Sequence, residues 1–210
     1  VVPGGTLFDV DNAAVNTLLN RLREVYAYLK GAAELLFNAP SVVDRFEGTG
    51  VVDRRTCQEL GLVGPAARAC GVPRDVRSDF PAGIYRFAQI PVLTCGSGDV
   101  FARAYVRWME AQRSADFVKE QLEGLPGGGT RSEAPGLFPD SMTVSLVEGW
   151  RGEICHAVIT DSRGKIDRYK VVDPSFHNWM GLSMALRGAE ISDFPLCNKS
   201  FNLSYCGQDL

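Results

Sequence analysis

The hydrophobic period of the chain changes once, at residues 124–140, and this change constrains the fold more than any other feature. Before it, apolar residues recur at spacings of three and four, which is typical of amphipathic helices. After it, apolar and polar residues alternate in short runs, which is typical of strands. The segment between contains five glycines and three prolines and is predicted to be a mobile loop. We therefore predict an α+β fold.

The predicted organisation is a helical part over residues 1–123, the Gly/Pro-rich loop over 124–140, and a sheet-containing part over 141–210. The second part should hold a small antiparallel three-stranded sheet at about 142–173, one helix and a C-terminal segment. We expect both parts to pack as one domain, with a helical bundle built on two long helices. Residues 191–210 have no clear period.

The first long helix is predicted over residues 12–37, and the second over 100–122, introduced by Asp99. A shorter helix is expected between Asp53 and Gly61, and Ser175 is expected to cap a helix that ends before Gly188. The first long helix carries an apolar stripe that we expect to be buried: Val15, Leu18, Leu19, Leu22, Val25, Tyr26 and Leu29.

Composition excludes several classes of protein. The net charge is -3, which argues against nucleic-acid binding. No apolar run approaches the roughly 20 residues that a membrane helix needs, so no transmembrane segment is predicted. The chain begins with Val1 and has no secretory leader, so we interpret it as a piece of a longer cytosolic chain.

The sequence predicts neither a catalytic residue nor a metal site. Six scattered cysteines form no CxxC pair and are interpreted as reduced, mostly buried thiols: Cys57, Cys70, Cys95, Cys155, Cys197 and Cys206. The two histidines, His156 and His177, are interpreted as a strand residue and a local hydrogen-bonding residue. No dinucleotide-binding GxGxxG motif follows a predicted strand, and the chain has no Walker A, HExxH or GxSxG motif.

Six strings in order resemble one known family. They are PGG at 3–5, ELGLVGPAARACG at 59–71, DVRSDFP at 75–81, GDVFARAYVRWMEAQRS at 98–114, EGWRGE at 148–153 and VVDPSFHNW at 171–179. Together they resemble the hydrogenase-like large subunit of NADH:quinone oxidoreductase (complex I) and of membrane-bound group 4 nickel–iron hydrogenases. The last two strings look more like the hydrogenase-type branch.

The resemblance implies the C-terminal region of a large subunit in a respiratory quinone oxidoreductase or hydrogenase-related complex. It implies a quinone and electron supply from an iron–sulfur partner subunit for the full complex, with no cofactor bound by this fragment. The complex would lie on the cytoplasmic side, peripheral to the inner membrane. Two alternatives stay open: a non-catalytic assembly module that has lost its metal site, and a true nickel–iron hydrogenase.

In the hydrogenases of this family, a DPCxxC motif near the C-terminus supplies two nickel-binding thiolates. By resemblance, its aspartate falls at Asn202 and its cysteines at Ser204 and Gly207, while Cys206 is one residue out of position. A hydroxyl or glycine cannot replace a thiolate on nickel. By resemblance, the metal site is therefore lost and its cavity persists as the quinone cavity. Asn202, Ser204 and Gly207 are candidate positions that line it.

The family pattern GDxYxRxxxRxxE places a row of charges on the second long helix: Asp99, Arg103, Arg107 and Glu110. The pattern is matched except at Phe101. Because buried charges need partners, we expect Arg103 and Arg107 to pair with carboxylates such as Glu110 or Glu153. We favour structural pairing over a direct role in proton relay.

Overall fold

Helices make up most of the regular structure in the computed structural model, which describes residues 2–207. Within this described range, eight α-helices occur in the order α1 (Asn12–Phe37), α2 (Pro40–Phe46), α3 (Arg54–Leu60), α4 (Gly64–Ala69), α5 (Val76–Asp79), α6 (Val100–Glu123), α7 (Pro174–Ala185) and α8 (Phe194–Phe201). Short 3-10 turns cover Gly83–Arg86 and Ile191–Asp193. The predicted α+β class is confirmed. No helix among residues 2–207 is long and apolar enough to span a bilayer.

Three antiparallel strands form the sheet in the order β1 (Met142–Gly149), β2 (Gly152–Thr160) and β3 (Ile166–Val172). Each strand follows its neighbour through a tight turn, as the alternating sequence pattern predicts. In the β2–β3 turn, the amide of Gly164 donates to the carbonyl of Asp161 at 3.0 Å, and Gly164 has a φ of +72°. Glycine suits this left-handed conformation.

The core lies where α3, α4, α7 and α8 meet the first turn of α6. Small residues on α4 and α6 let these two helices approach closely, through Ala69, Ala102 and Val106. The larger cluster is built of Val52, Cys57, Leu62, Ala66, Ala67, Cys70, Val100, Leu182, Ala185, Cys197, Phe201 and Leu203. Residues from both sides of the Gly/Pro-rich loop therefore share one apolar cluster.

Helix α1 has the predicted bounds but not the predicted burial. It packs on α6 through aromatic pairs, with Tyr26 stacked on Trp108 and Phe37 edge-on to Phe101. Ala33 is its only buried residue among those described, and Leu18, Val25 and Leu29 of the expected buried stripe are exposed. Helices α6 and α2 make the main contacts with α1, and they leave part of this stripe uncovered.

Two further expectations need correction. Asp173, not Ser175, caps α7: its carboxylate accepts the Ser175 amide, and Pro174 occupies the first turn, where no amide is needed. Helix α8 lies in the tail for which the sequence indicated no period, since eight residues are too few for a clear one. By contrast, Asp53 and Gly61 delimit α3 as predicted.

Residues 124–140 are held at two places. Near the middle, the amide of Ser132 donates to the carbonyl of Gly4 at 2.9 Å, and the amide of Thr6 donates to the carbonyl of Thr130 at 3.1 Å. At the end, the amide of Asp140 donates to the carbonyl of Asp161 at 3.0 Å. The loop is thus anchored to the N-terminal segment and to the sheet.

Candidate functional site

The three predicted cavity positions follow α8 directly, and hydrogen bonds shape the segment that carries them. The amide of Ser204 donates to the hydroxyl of Ser175 at 2.9 Å, and the amide of Gly207 donates to the hydroxyl of Ser204 at 2.9 Å. Asn202 ends α8 in a left-handed conformation, with a φ of 54°. Asparagine tolerates this conformation better than most residues, which gives Asn202 a structural role.

The segment faces the start of α7. A Cβ placed on Gly207 would lie 2.8 Å from the carboxylate carbon of Asp173 and 2.8 Å from the Ser204 hydroxyl. Ser204, Gly207 and Asp173 therefore meet in one small polar cluster, on top of the buried Ser175. Asn202 lies beside this cluster. Only glycine permits the close approach of Asp173 at position 207.

This cluster does not fit a nickel ion. It offers a carboxylate and hydroxyls, whereas nickel in this motif needs thiolates. The nearby Cys206 is exposed, with its sulfur 3.6 Å from the Ser204 hydroxyl. Among residues 2–207, no three His, Cys, Asp or Glu side chains are grouped so that they could hold a metal ion.

Arg103 is fully buried beside the segment and makes no ion pair among the described residues. Its guanidinium donates to the Ser200 hydroxyl at 2.8 Å and to the carbonyls of Gly98 and Gly50 at 2.7 and 2.9 Å. It also lies 4.3 Å from the ring centroid of Phe201. Burial lowers the pKa of Arg103 to about 10, but the group stays charged at neutral pH.

Arg107 and Arg151 hold the end of α8. Arg107 donates to the carbonyls of Ser200 and Phe201, and Arg151 donates to that of Asn202. The Nε of Arg107 is buried without an acceptor among the described residues. Burial, together with the positive charge of Arg103, lowers the pKa of Arg107 to about 10. The region around residues 200–202 is therefore electropositive.

The predicted pairing of Arg103 and Arg107 with Glu110 or Glu153 is wrong. Glu110 accepts two hydrogen bonds from Arg68, and Glu153 pairs with Arg74. Arg103 lies seven residues from Glu110, roughly 10 Å along the helix axis, and points at α8. Backbone carbonyls and one hydroxyl replace the expected carboxylates.

Asp99 caps α6, as the sequence predicts, and it makes no ion pair with the arginines of the charge row among the described residues. Its carboxylate accepts the amides of Ala102 at 2.8 Å and Gly48 at 3.0 Å, and the Ser97 hydroxyl at 2.8 Å. All three of these donors are uncharged. Asp99 thus fixes the start of the helix that carries Arg103 and Arg107.

Sequence reasoning missed Arg151, Asn178 and Asp173 as members of this site. Asn178 joins three elements: its side chain accepts the Val63 amide and donates to the carbonyls of Val63 and Arg151. These residues lie in the EGWRGE and DPSFHNW strings that carried the family resemblance. The two strings could have indicated these residues, but their polar side chains were not identified as site residues from the sequence.

Comparisons with known proteins identify the family of the chain. The family described as "Respiratory-chain NADH dehydrogenase, 49 Kd subunit" matches residues 1–141 and 130–209. The chain is 32% identical to the carbon monoxide-induced hydrogenase of Rhodospirillum rubrum, over 95% of the chain and 55% of that protein. It is 30% identical to a component of the NADH-quinone oxidoreductase of Thermosipho melanesiensis, over 93% of the chain and 55% of that protein.

A solved structure extends the likeness to the fold. The membrane-bound sulfane sulfur reductase, an archaeal respiratory membrane complex, contains a chain that superposes with a TM-score of 0.91 and 25% identity. The match covers 99% of the present chain and 58% of that one. The chain spans about half the length of the relatives it matches. By sequence and by fold, it belongs to the family of the 49 kDa subunit of respiratory-chain NADH dehydrogenase, which includes hydrogenase-related subunits.

Proposed function

We propose that this chain is the C-terminal part of a large subunit that binds a quinone headgroup in a cavity derived from a lost metal site. The cluster of Asp173, Ser204 and Gly207 carries the proposal, because it brings a carboxylate and a hydroxyl together at the motif positions but offers no thiolate there. Arg107 and Arg151 supply positive charge at Phe201 and Asn202, directly before Ser204 in the chain. A quinone gains negative charge on reduction, which nearby guanidinium groups stabilise.

In this proposal, electrons come from iron–sulfur clusters of a partner subunit, and the complex lies on the cytoplasmic side of the inner membrane. The proposed role of the present residues is to position the headgroup and to couple its reduction to proton uptake. The family membership supports a respiratory complex. The choice of quinone chemistry rests on Ser204 and Gly207, neither of which supplies a thiolate.

Binding of a quinone analogue to the assembled full-length complex tests the proposal. Gly207→Ala should weaken binding by about tenfold or more, since the added methyl collides with Asp173 and Ser204; a tenfold change corresponds to about 1.4 kcal/mol. Gly136→Ala is the matched control, because a Cβ there meets no atom within 4 Å. Unchanged affinity in Gly207→Ala would contradict the proposed cavity.

Metal analysis of the same complex distinguishes the alternatives. Stoichiometric nickel would overturn the proposal in favour of a hydrogenase, an alternative supported by the named hydrogenase relative. A complex with neither nickel, nor quinone-analogue binding, nor redox activity would instead indicate an assembly module. The proposal expects quinone-analogue binding without nickel.

A further inference from the structure

A second cluster of charges surrounds Arg68, away from the candidate cavity. The guanidinium of Arg68 is buried and donates to Glu110 at 2.6 and 3.2 Å and to Glu148 at 2.9 Å. Asp75 approaches it at 3.5 Å. The partners come from α6, β1 and the cap of α5, so Arg68 on α4 joins four elements.

Acidic groups outnumber basic ones in this cluster. Arg77 pairs with Asp75 through two hydrogen bonds of 2.9 and 2.6 Å, and Arg74 pairs with Glu153 at 3.0 Å. Glu153 is the cross-strand partner of Glu148. The groups in mutual contact or in register are three arginines and four carboxylates: Arg68, Arg74, Arg77, Asp75, Glu110, Glu148 and Glu153.

With every group ionised, the groups of this cluster that touch or lie in register carry a net charge of -1. Arg107 lies outside this set: it acts electrostatically on Glu110, but it directs its donors to the carbonyls of α8. An uncompensated buried charge is costly, and a buried acid commonly avoids the cost by keeping its proton. One of the four carboxylates is therefore the natural place for a proton.

The contacts identify which carboxylate that is. Burial pushes the pKa of Asp75 upward, but the hydrogen bonds and charges of Arg77 and Arg68 outweigh it, so that the pKa is lowered. Glu110 is held by two donors of Arg68, and Glu153 by two of Arg74. Glu148 has one arginine donor and one backbone amide, from Val76. Burial and the charge of Asp75 raise its pKa in spite of Arg68.

Glu148 also lines a cavity. The cavity has a volume of about 300 Å³ and is bounded by Arg77, Phe80, Tyr85, Leu146, Val147 and Glu148. Phe80 and Val147 are exposed, so the cavity reaches the protein surface. Glu148, whose side chain is 5% exposed, therefore lines a mostly apolar passage that water can enter from the surface.

We propose that Glu148 is a proton-exchanging site, which takes up a proton from water in this cavity and holds it beside Arg68. A hydronium ion transfers its proton to a free lone pair of the carboxylate, which leaves water and a neutral carboxylic acid. The Glu148–Arg68 pair then changes from an ion pair to a hydrogen bond that the charged guanidinium donates to a neutral acid. Arg68 remains held by Glu110 and Asp75, so the fold survives the exchange. The inference does not depend on what the cluster of Asp173, Ser204 and Gly207 binds.

Infrared difference spectroscopy of the full-length protein in its complex tests this proposal, recorded as the pH is lowered but kept well above the ordinary glutamate pKa of about 4.3, so that exposed glutamates stay ionised. The expected result is a carboxylic-acid C=O band that shifts when glutamate is labelled with ¹³C. The band should be lost in Glu148→Gln and retained in Glu153→Gln, the control on the neighbouring strand. A labelled band that persists in Glu148→Gln, or its absence from the wild type, overturns the proposal.

A second variant covers the case in which Glu148→Gln fails to assemble. Glu148→Asp keeps an acid at the position, but labelled glutamate no longer labels it. The ¹³C-sensitive band must therefore vanish in Glu148→Asp as well. Its persistence would assign the proton to another glutamate.

Discussion

At the scale of single residues, the molecule stabilises buried arginines in two different ways. Arg68 has carboxylate partners, whereas Arg103 is surrounded by carbonyls and a hydroxyl. Carbonyl oxygens carry partial negative charge and can replace an acid when several of them converge. The cost of burying Arg103 appears in its lowered pKa. Such an arginine tolerates little change, because its acceptors are as buried as it is.

We expect Arg103→Ala to destabilise the protein by about 3 kcal/mol, since the substitution leaves buried acceptors unpaired and opens a cavity. Urea unfolding followed by circular dichroism measures the change. Arg113→Ala on the same helix is the control, because Arg113 is exposed and its loss should cost about 0.5 kcal/mol or less. Equal stability of the two variants would contradict a structural role for Arg103.

The lowered pKa of Asp75 predicts a pH dependence of folding. Because the folded state binds this proton more weakly, Asp75 stabilises the fold above the ordinary aspartate pKa of about 3.9. That contribution declines as the pH falls through the folded pKa. Asp75→Asn should therefore cost about 3 kcal/mol at neutral pH and progressively less in acid.

Unfolding free energies measured over a series of pH values check this expectation. The exposed Asp167 serves as the control, with Asp167→Asn expected to follow the wild type throughout. A difference between the wild type and Asp75→Asn that grew in acid would reverse the predicted sign.

At the scale of elements, the sequence predicted what local chemistry decides. The bounds of α1 and α6, the caps of α3 and the three strands follow from periodicity and from Asp or Gly at the ends. Contacts between distant residues could not be predicted this way. The choice of Arg68 rather than Arg103 as the partner of Glu110 depends on where α4 lies, and no spacing along the chain encodes it.

The same limit applies to the candidate site. The family motif indicated positions 202, 204 and 207, but Asp173 and Arg151 join them only through folding. The outward face of α1 shows a related limit. A helical period reveals that a stripe is apolar, whereas the number of neighbours that cover it is a property of the whole arrangement.

A comparison of two glycines distinguishes the effect of backbone conformation from that of close packing. Gly61 and Gly98 have nearly equal φ values of +67° and +65°, but a Cβ on Gly98 would lie 2.0 Å from the carbonyl oxygen of Val52, and one on Gly61 would meet nothing within 4 Å. Gly61→Ala should cost about 1 kcal/mol from its left-handed conformation alone. Gly98→Ala should cost clearly more, because the loop 50–53 must move. Thermal unfolding of both variants measures the difference, and equal losses would contradict the close approach.

At the scale of the whole molecule, the two predicted parts contact each other through several elements. Helix α6 contacts α8, α4 contacts β2, and α5 contacts β1. Gly64 and Gly152 bring the backbones of the two parts together: a Cβ on Gly64 would lie 2.4 Å from the Cα of Gly152. The prediction that residues 1–123 and 141–210 behave as one domain can be tested on this basis.

Limited proteolysis provides that test. Residues 124–140 are exposed and offer cleavage sites such as Arg131. After a single cut there, we expect the two pieces to co-elute in gel filtration and to separate only in denaturant. Separation under native conditions would show that the parts are independent domains.

The three arginines at the end of α8 have a mechanical consequence. Arg103 and Arg107 reach it from α6, and Arg151 reaches it from the β1–β2 turn. Residues 200–202 are therefore held by hydrogen bonds from two sides, which restrict the start of the segment that follows. A displacement of Ser204 or Gly207 that moved residues 200–202 would therefore strain hydrogen bonds to both α6 and the β1–β2 turn.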